Sequence, residues 1–263
     1  MELNGRDTTM RLLVLLCSLA MPIVAWFSQR GAFGPTNGAI SAQYPTLLVA
    51  SGYAFMIWGL IFVLDVLYGV WQATGERRHD ATLSRIAPLT AAGFALTAAW
   101  MPLFSMGLFW VCLAVIVAAL ACLLRAAMVL TDDARRLPRQ WLWAWSPISL
   151  HAGWLSLAAF LNLAQVIVAY RLLSTTNMLR WSLSLFVLLA VLLLWANQRM
   201  RGNVDYAGAA TWGLIGVYVM QNAWDVRGST AAAWCALALA VVLVAQTAWL
   251  RFKYRGGLVA DAA

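Results

Sequence analysis

The chain has 263 residues, 63% of them hydrophobic and only 11% charged, with eighteen Lys and Arg against ten Asp and Glu. A water-soluble domain of this length would lack the polar side chains to cover its surface, so the composition excludes a soluble globular protein and makes the bilayer the solvent. The net charge of +8 then bears on topology and on attraction to anionic membrane lipids, and no nucleic-acid partner is expected.

A membrane-crossing helix needs roughly 20 largely apolar residues, because hydrocarbon offers no partner for backbone N–H and C=O groups. Eight segments qualify, at 11–27, 52–72, 86–104, 107–130, 147–170, 180–198, 206–222 and 230–250, of which the first, third and seventh are short. Apolar runs of this length without alternation exceed ordinary strands, so the fold class is all-α, a polytopic integral membrane helix bundle. The first segment follows Arg6 and Arg11 and is read as an uncleaved helix, since no small-x-small cleavage site follows it cleanly.

Between the first and second segments lies an external connection, residues 28–50, rich in Gly and Pro but carrying Phe33, Ile40, Tyr44 and Leu47. A connection of this length is functional or disordered. Its embedded apolar residues predict a lid packed on the mouth of the bundle, with a mobile surface loop as the other reading.

The second segment holds Asp65, the only acidic residue inside a predicted span, and the fifth holds His151 at a similar depth. A contact between them would lower the cost of burying either and would make a proton relay; alternatively Asp65 is neutral or bonded locally and ties helices together. On the fifth segment His151, Trp154, Ala158, Asn162 and Gln165 fall on one helical face. That stripe is either a ligand surface or interhelical glue. In the seventh segment Gly208, Thr211, Gly213 and Gly216 form a small-residue surface that would pack a homodimer or a neighbouring helix.

Basic residues test the count of spans. With the N-terminus inside, fourteen of the eighteen fall on one side, Arg135, Arg136 and the Arg125 side chain among them, leaving Arg30, Arg171, Arg180 and Arg227 opposite. The positive-inside rule therefore predicts a cell (inner) membrane protein with both termini cytoplasmic. The fifteen tryptophans divide in the same way. Nine of them, Trp26, Trp71 and Trp224 included, fall at or near predicted membrane surfaces as anchors, whereas Trp58, Trp100 and Trp154 lie within the spans.

The fifth segment, with Trp154 and Leu161-Asn162, the third with Trp100-Met101-Pro102-Leu103-Phe104, and the second with Phe55, Trp58 and Leu67-Tyr68 resemble the TspO/MBR family of tryptophan-rich sensory and translocator proteins. The order of elements is similar too: a first helix, a long loop, then four helices. Thr97 stands where the family has Asn, and Leu150 where it has Pro. On these motifs the resemblance covers residues 1–170, a TspO-like five-helix bundle, and makes 171–263 three additional transmembrane helices packed on it.

The resemblance implies a pocket under the 28–50 loop for a flat lipophilic small molecule such as porphyrin or haem, lined by Phe55, Trp58, Trp100, Phe104, Trp154 and Asn162. Aromatic walls suit a planar conjugated ligand. Three classes of function follow: a protein that binds, senses or carries such a ligand; a proton-coupled small-molecule transporter using Asp65 and His151; and a membrane enzyme. The last lacks any motif for a metal site, a phosphate loop or catalytic residues, so no catalytic residue, metal or firm cofactor is assigned.

Overall fold

The computed structural model describes residues 5–133, Leu137 and 139–260, with backbone alone at 5–7, Glu76 and 255–260. Among the described residues eight long helices run up and down: α1 (Gly5–Gln29), α3 (Ile57–Ala73), α4 (Ala81–Ser105), α5 (Phe109–Asp132), α6 (Ser146–Ala169), α7 (Met178–Arg199), α8 (Val204–Ala223) and α9 (Ser229–Ala260), with a short α2 (Asn37–Gln43) in the long loop. No strand occurs among the described residues.

Each predicted span is one of these helices, and all three short ones lengthen, the seventh to the 20 residues of α8. Both α1 and α4 reach 25 residues, α4 because the Asp80 carboxylate accepts from the Leu83 amide and starts the helix before its apolar run. Seven of the eight are long and apolar enough to cross a membrane. The exception is α8, diluted by Asp205, Thr211, Gln221 and Asn222.

Neighbouring helices α1, α4, α5, α6 and α3 close a ring; α8 packs on the outside of α6, α9 on α8, and α7 on α9. Large apolar side chains such as Leu16, Val63, Val187 and Val191 face outward. In water such a surface would drive association, but in lipid it is the solvated one.

Contacts at the two ends keep the charge pattern apart. At one end Arg11 donates to Gln72 Oε1 (3.1 Å), the Asp80 carbonyl (2.9 Å) and Ser84 Oγ (3.0 Å), Ser146 donates to Asp205 (2.7 Å), and Arg201 reaches Asp132 (3.4 Å). At the other, Asn37 Oδ1 accepts from Ser105 (3.0 Å) and Ser28 (3.4 Å), and Arg30 lies over the Trp26 ring. Arg135 and Arg136 lie outside the described residues.

The seam between α6 and α8 joins the last three helices to the ring. Asn203 caps α8 by accepting from the Tyr206 amide (2.9 Å) while its Nδ2 donates to Ser149 (2.6 Å), and the Tyr206 and Ser156 hydroxyls bond at 2.9 Å. The backbones approach so closely that a side chain at Gly153 would run into the Tyr206 carbonyl. Gly153→Ala is expected to destabilise the protein by about 1–3 kcal/mol through overpacking, seen as a lower melting temperature in detergent. Gly208→Ala, where a methyl group meets nothing within 4 Å, should melt with the parent.

Candidate ligand site

A cavity of about 880 Å³ opens among α1, α3, α4, α6, α8 and the 28–50 loop. Phe55, Trp58, Trp100, Phe104, Trp154 and Asn162 all line it. Their convergence follows from helical spacing: Trp58 and Phe62 are one turn apart on α3, Trp100 and Phe104 one turn apart on α4, and Trp154, Ala158, Asn162 and Gln165 run down one face of α6.

The rings form two groups on the wall. Trp58 stacks on Phe62 (centroids 5.3 Å, 24°) and meets Trp154 edge to face (6.0 Å, 81°); Phe55 meets Trp154 the same way (5.7 Å), and Trp100 stacks on Phe104 (4.8 Å). Trp100 Nε1 donates to Asn162 Oδ1 (3.0 Å), and Asn162 Nδ2 donates to the Ala158 carbonyl (3.2 Å), so the deep carboxamide is satisfied by its own walls. Two polar atoms on lining residues, Trp154 Nε1 and Gln165 Nε2, are buried with no hydrogen-bond partner.

The loop is the roof. Thr36 caps α2 by accepting from the Ala39 amide (3.3 Å), Ile40 is buried, and Leu47 and Leu48 are fully buried. The embedded apolar residues thus anchor it as a lid. At the mouth the lining changes to hydroxyls and carboxamides, with Ser28, Gln29, Thr36, Asn37 and Ser41, and no Lys, Arg, His, Asp or Glu lines the cavity among the described residues.

Beneath the aromatic floor, Asp65 and His151 meet. The Asp65 Oδ2 to His151 Nδ1 distance is 2.7 Å and both side chains are fully buried. Thr97 Oγ1 lies 2.9 Å from the Gly93 carbonyl and 3.3 Å from His151 Nε2, within hydrogen-bond distance of both. The 2.7 Å contact places a proton between His151 Nδ1 and the Asp65 carboxyl group. The imidazole contacts Phe94, whose ring is nearly parallel at 6.0 Å, and Trp58, nearly perpendicular at 5.7 Å. Trp58 is therefore the ring through which the pair borders the cavity.

Several participants escape sequence reasoning. Thr97, which stands where the resemblance expects Asn, is the histidine's second partner. Trp224, expected at the membrane surface, lines the cavity with Met220 from α8, a position that no periodicity reveals because α8 and the roof are far apart in the chain. Of the small residues on α8, Gly216 faces Ala54 and Ala50 and Gly213 faces Leu157, whereas Gly208 meets nothing within 4 Å.

An all-helical, multi-pass membrane bundle with an aromatic cavity beneath an ordered loop is the class of protein these features define. The profile described as TSPO-like protein matches residues 11–249, and the chain belongs to that family. The matched region takes in α7, α8 and α9 as far as Trp249. Neither a curated protein nor a solved structure matches the chain.

Because the Asp65–His151 pair has no access to solvent, losing one member strands the other. His151→Leu is expected to cost about 3–5 kcal/mol, the scale for breaking a buried pair, and the double variant Asp65→Leu/His151→Leu to cost less than either single change. A double-mutant cycle of denaturation in detergent measures this, and strictly additive losses would mean that the two groups are not coupled.

Proposed function

We propose that this TSPO-like membrane protein binds a flat lipophilic small molecule in the cavity under the 28–50 loop, to sense it or carry it. The observation that supports this reading is the wall of Trp58, Trp100 and Trp154, three rings from three helices facing one cavity of about 880 Å³. Planar conjugated molecules gain burial and ring contacts on such a wall. Porphyrin or haem are the tetrapyrroles to try first. With no cationic side chain on the wall, their carboxylates would have to emerge at the mouth beside Asn37 and Ser41, because an unpaired charge is too costly to bury.

The proposed setting is the cell (inner) membrane with both termini cytoplasmic, in keeping with the basic residues gathered at one end of the bundle. The roof then faces the opposite side, where the ligand would enter.

Protoporphyrin titrated into the purified protein is expected to quench its tryptophan fluorescence saturably. Trp100→Ala or Trp154→Ala should weaken the apparent Kd about tenfold, from roughly 1.5 kcal/mol of lost aromatic burial. Quenching no greater than that of an unrelated membrane protein sinks the proposal.

A second reading is favoured by the 2.7 Å contact of Asp65 with His151, one ring away from the cavity floor. In it, ligand movement is coupled to the proton that the pair shares. Flux of the ligand into proteoliposomes should then depend on an imposed pH gradient and lose that dependence in Asp65→Asn. Flux that is unchanged by the substitution leaves Asp65 a structural residue.

A further inference from the structure

We infer that α8 belongs to the ligand site: it holds the roof of the cavity in place through Gln221, and its Met220, together with Trp224 just past its end, touches the occupant. This rests on the ligand-binding reading above. The segment between α2 and α3, residues 44–56, is irregular chain followed by one 3₁₀ turn, Gly52–Met56. Its Thr46, Leu47, Leu48 and Ala50 are buried. Irregular backbone packed into a membrane bundle must find its hydrogen-bond partners in protein, since hydrocarbon has none to give.

Four of those hydrogen bonds are made with one helix. Gln221 Nε2 donates to the carbonyls of Thr46 (3.1 Å) and Val49 (3.2 Å), the Gly216 carbonyl accepts from the Ser51 amide (2.9 Å), and Trp212 Nε1 donates to the Ala54 carbonyl (2.9 Å). Positions 212 and 216 are one turn apart on α8, and Gln221 follows five residues further on, next to Met220. Gly216 is glycine for a steric reason, as a methyl group there would lie 2.6 Å from the Ala54 Cβ and 3.3 Å from that of Ala50. Met220 and Trp224, beside this seam, line the cavity.

Gln221, which binds the roof, is also one of the polar residues that leave α8 too polar to count among the apolar spans. A helix that only filled lipid-facing volume would have no use for Gln221 at that position. With its fixed carboxamide, Gln221 is a positioning residue for the roof, and the cavity keeps its wall on this side because the segment 44–56 stays seated on α8.

The experiment uses the full chain in lipid nanodiscs, with hydrogen exchange of the 44–56 backbone as a readout that needs no ligand. Gln221→Leu and Gly216→Ala should each speed exchange there by about tenfold, the scale of losing one or two interhelical bonds in lipid, while α4 and α5 exchange as before. Adding Ala54→Gly to Gly216→Ala removes the clash and should restore protection.

Protoporphyrin and pyrene are the probes for the second readout. Gln221→Leu should speed probe dissociation in step with exchange, and Met220→Trp, which fills the wall, should weaken binding at least fivefold with exchange in 44–56 unchanged. The inference is overturned if exchange in 44–56 is the same in Gln221→Leu, Gly216→Ala and the parent, or if a probe that binds the parent binds Gln221→Leu and Met220→Trp with unaltered affinity and rate. If neither probe binds the parent, the ligand reading falls and the occupant contacts with it, while the exchange data still decide whether α8 seats the roof.

Discussion

Hydrocarbon cannot satisfy a polar group, so each one that this chain buries must find its partner within the chain. That constraint organises the bundle around α6, the most buried of its long helices. On its face toward the ring, α6 brings His151 to Asp65 and Thr97 and brings Asn162 to Trp100; on its face toward α8 it offers Ser149 and Ser156 to Asn203 and Tyr206. Helices that must meet these groups have their positions set by them, and Gly153 lets α8 approach closely enough to do so.

The exceptions are informative for the same reason. Trp154 Nε1 and Gln165 Nε2 remain unpaired although both residues line the cavity, and Asp65 Oδ1 is unpaired beneath its floor. A polar group left unmatched in an apolar interior carries an energetic cost; these three lie at or beneath the cavity, while Ser182 Oγ, Asn197 Oδ1 and Thr211 Oγ1 are unmatched elsewhere in the bundle and Gln221 Oε1 at the seam with the roof. The cavity itself combines an apolar aromatic floor with an uncharged polar mouth, a gradient that suits an amphipathic planar molecule entering with its polar edge last.

Much of this was legible in the residues. Length and hydropathy define the spans because the bilayer imposes one scale on all of them, and the alternation of basic loops separates the two ends because charge does not cross readily. The stripe from His151 to Gln165 follows from helical periodicity alone, and so does the pairing of Trp100 with Phe104. The 28–50 loop announced itself through apolar residues that a mobile connection would not need, and Ile40 and Leu47 are indeed buried.

Composition and periodicity thus determined the solvent, the helices and the face that each presents, since these depend on neighbours within a few turns of the same chain. Only the tertiary structure decided which faces meet. That Asp65 touches His151 eighty-six residues away, that Thr97 completes the contact, and that Gln221 closes onto Thr46 across 175 residues are matters of helix rotation and depth. Those are set by the packing of many side chains at once, which no local pattern in the sequence encodes.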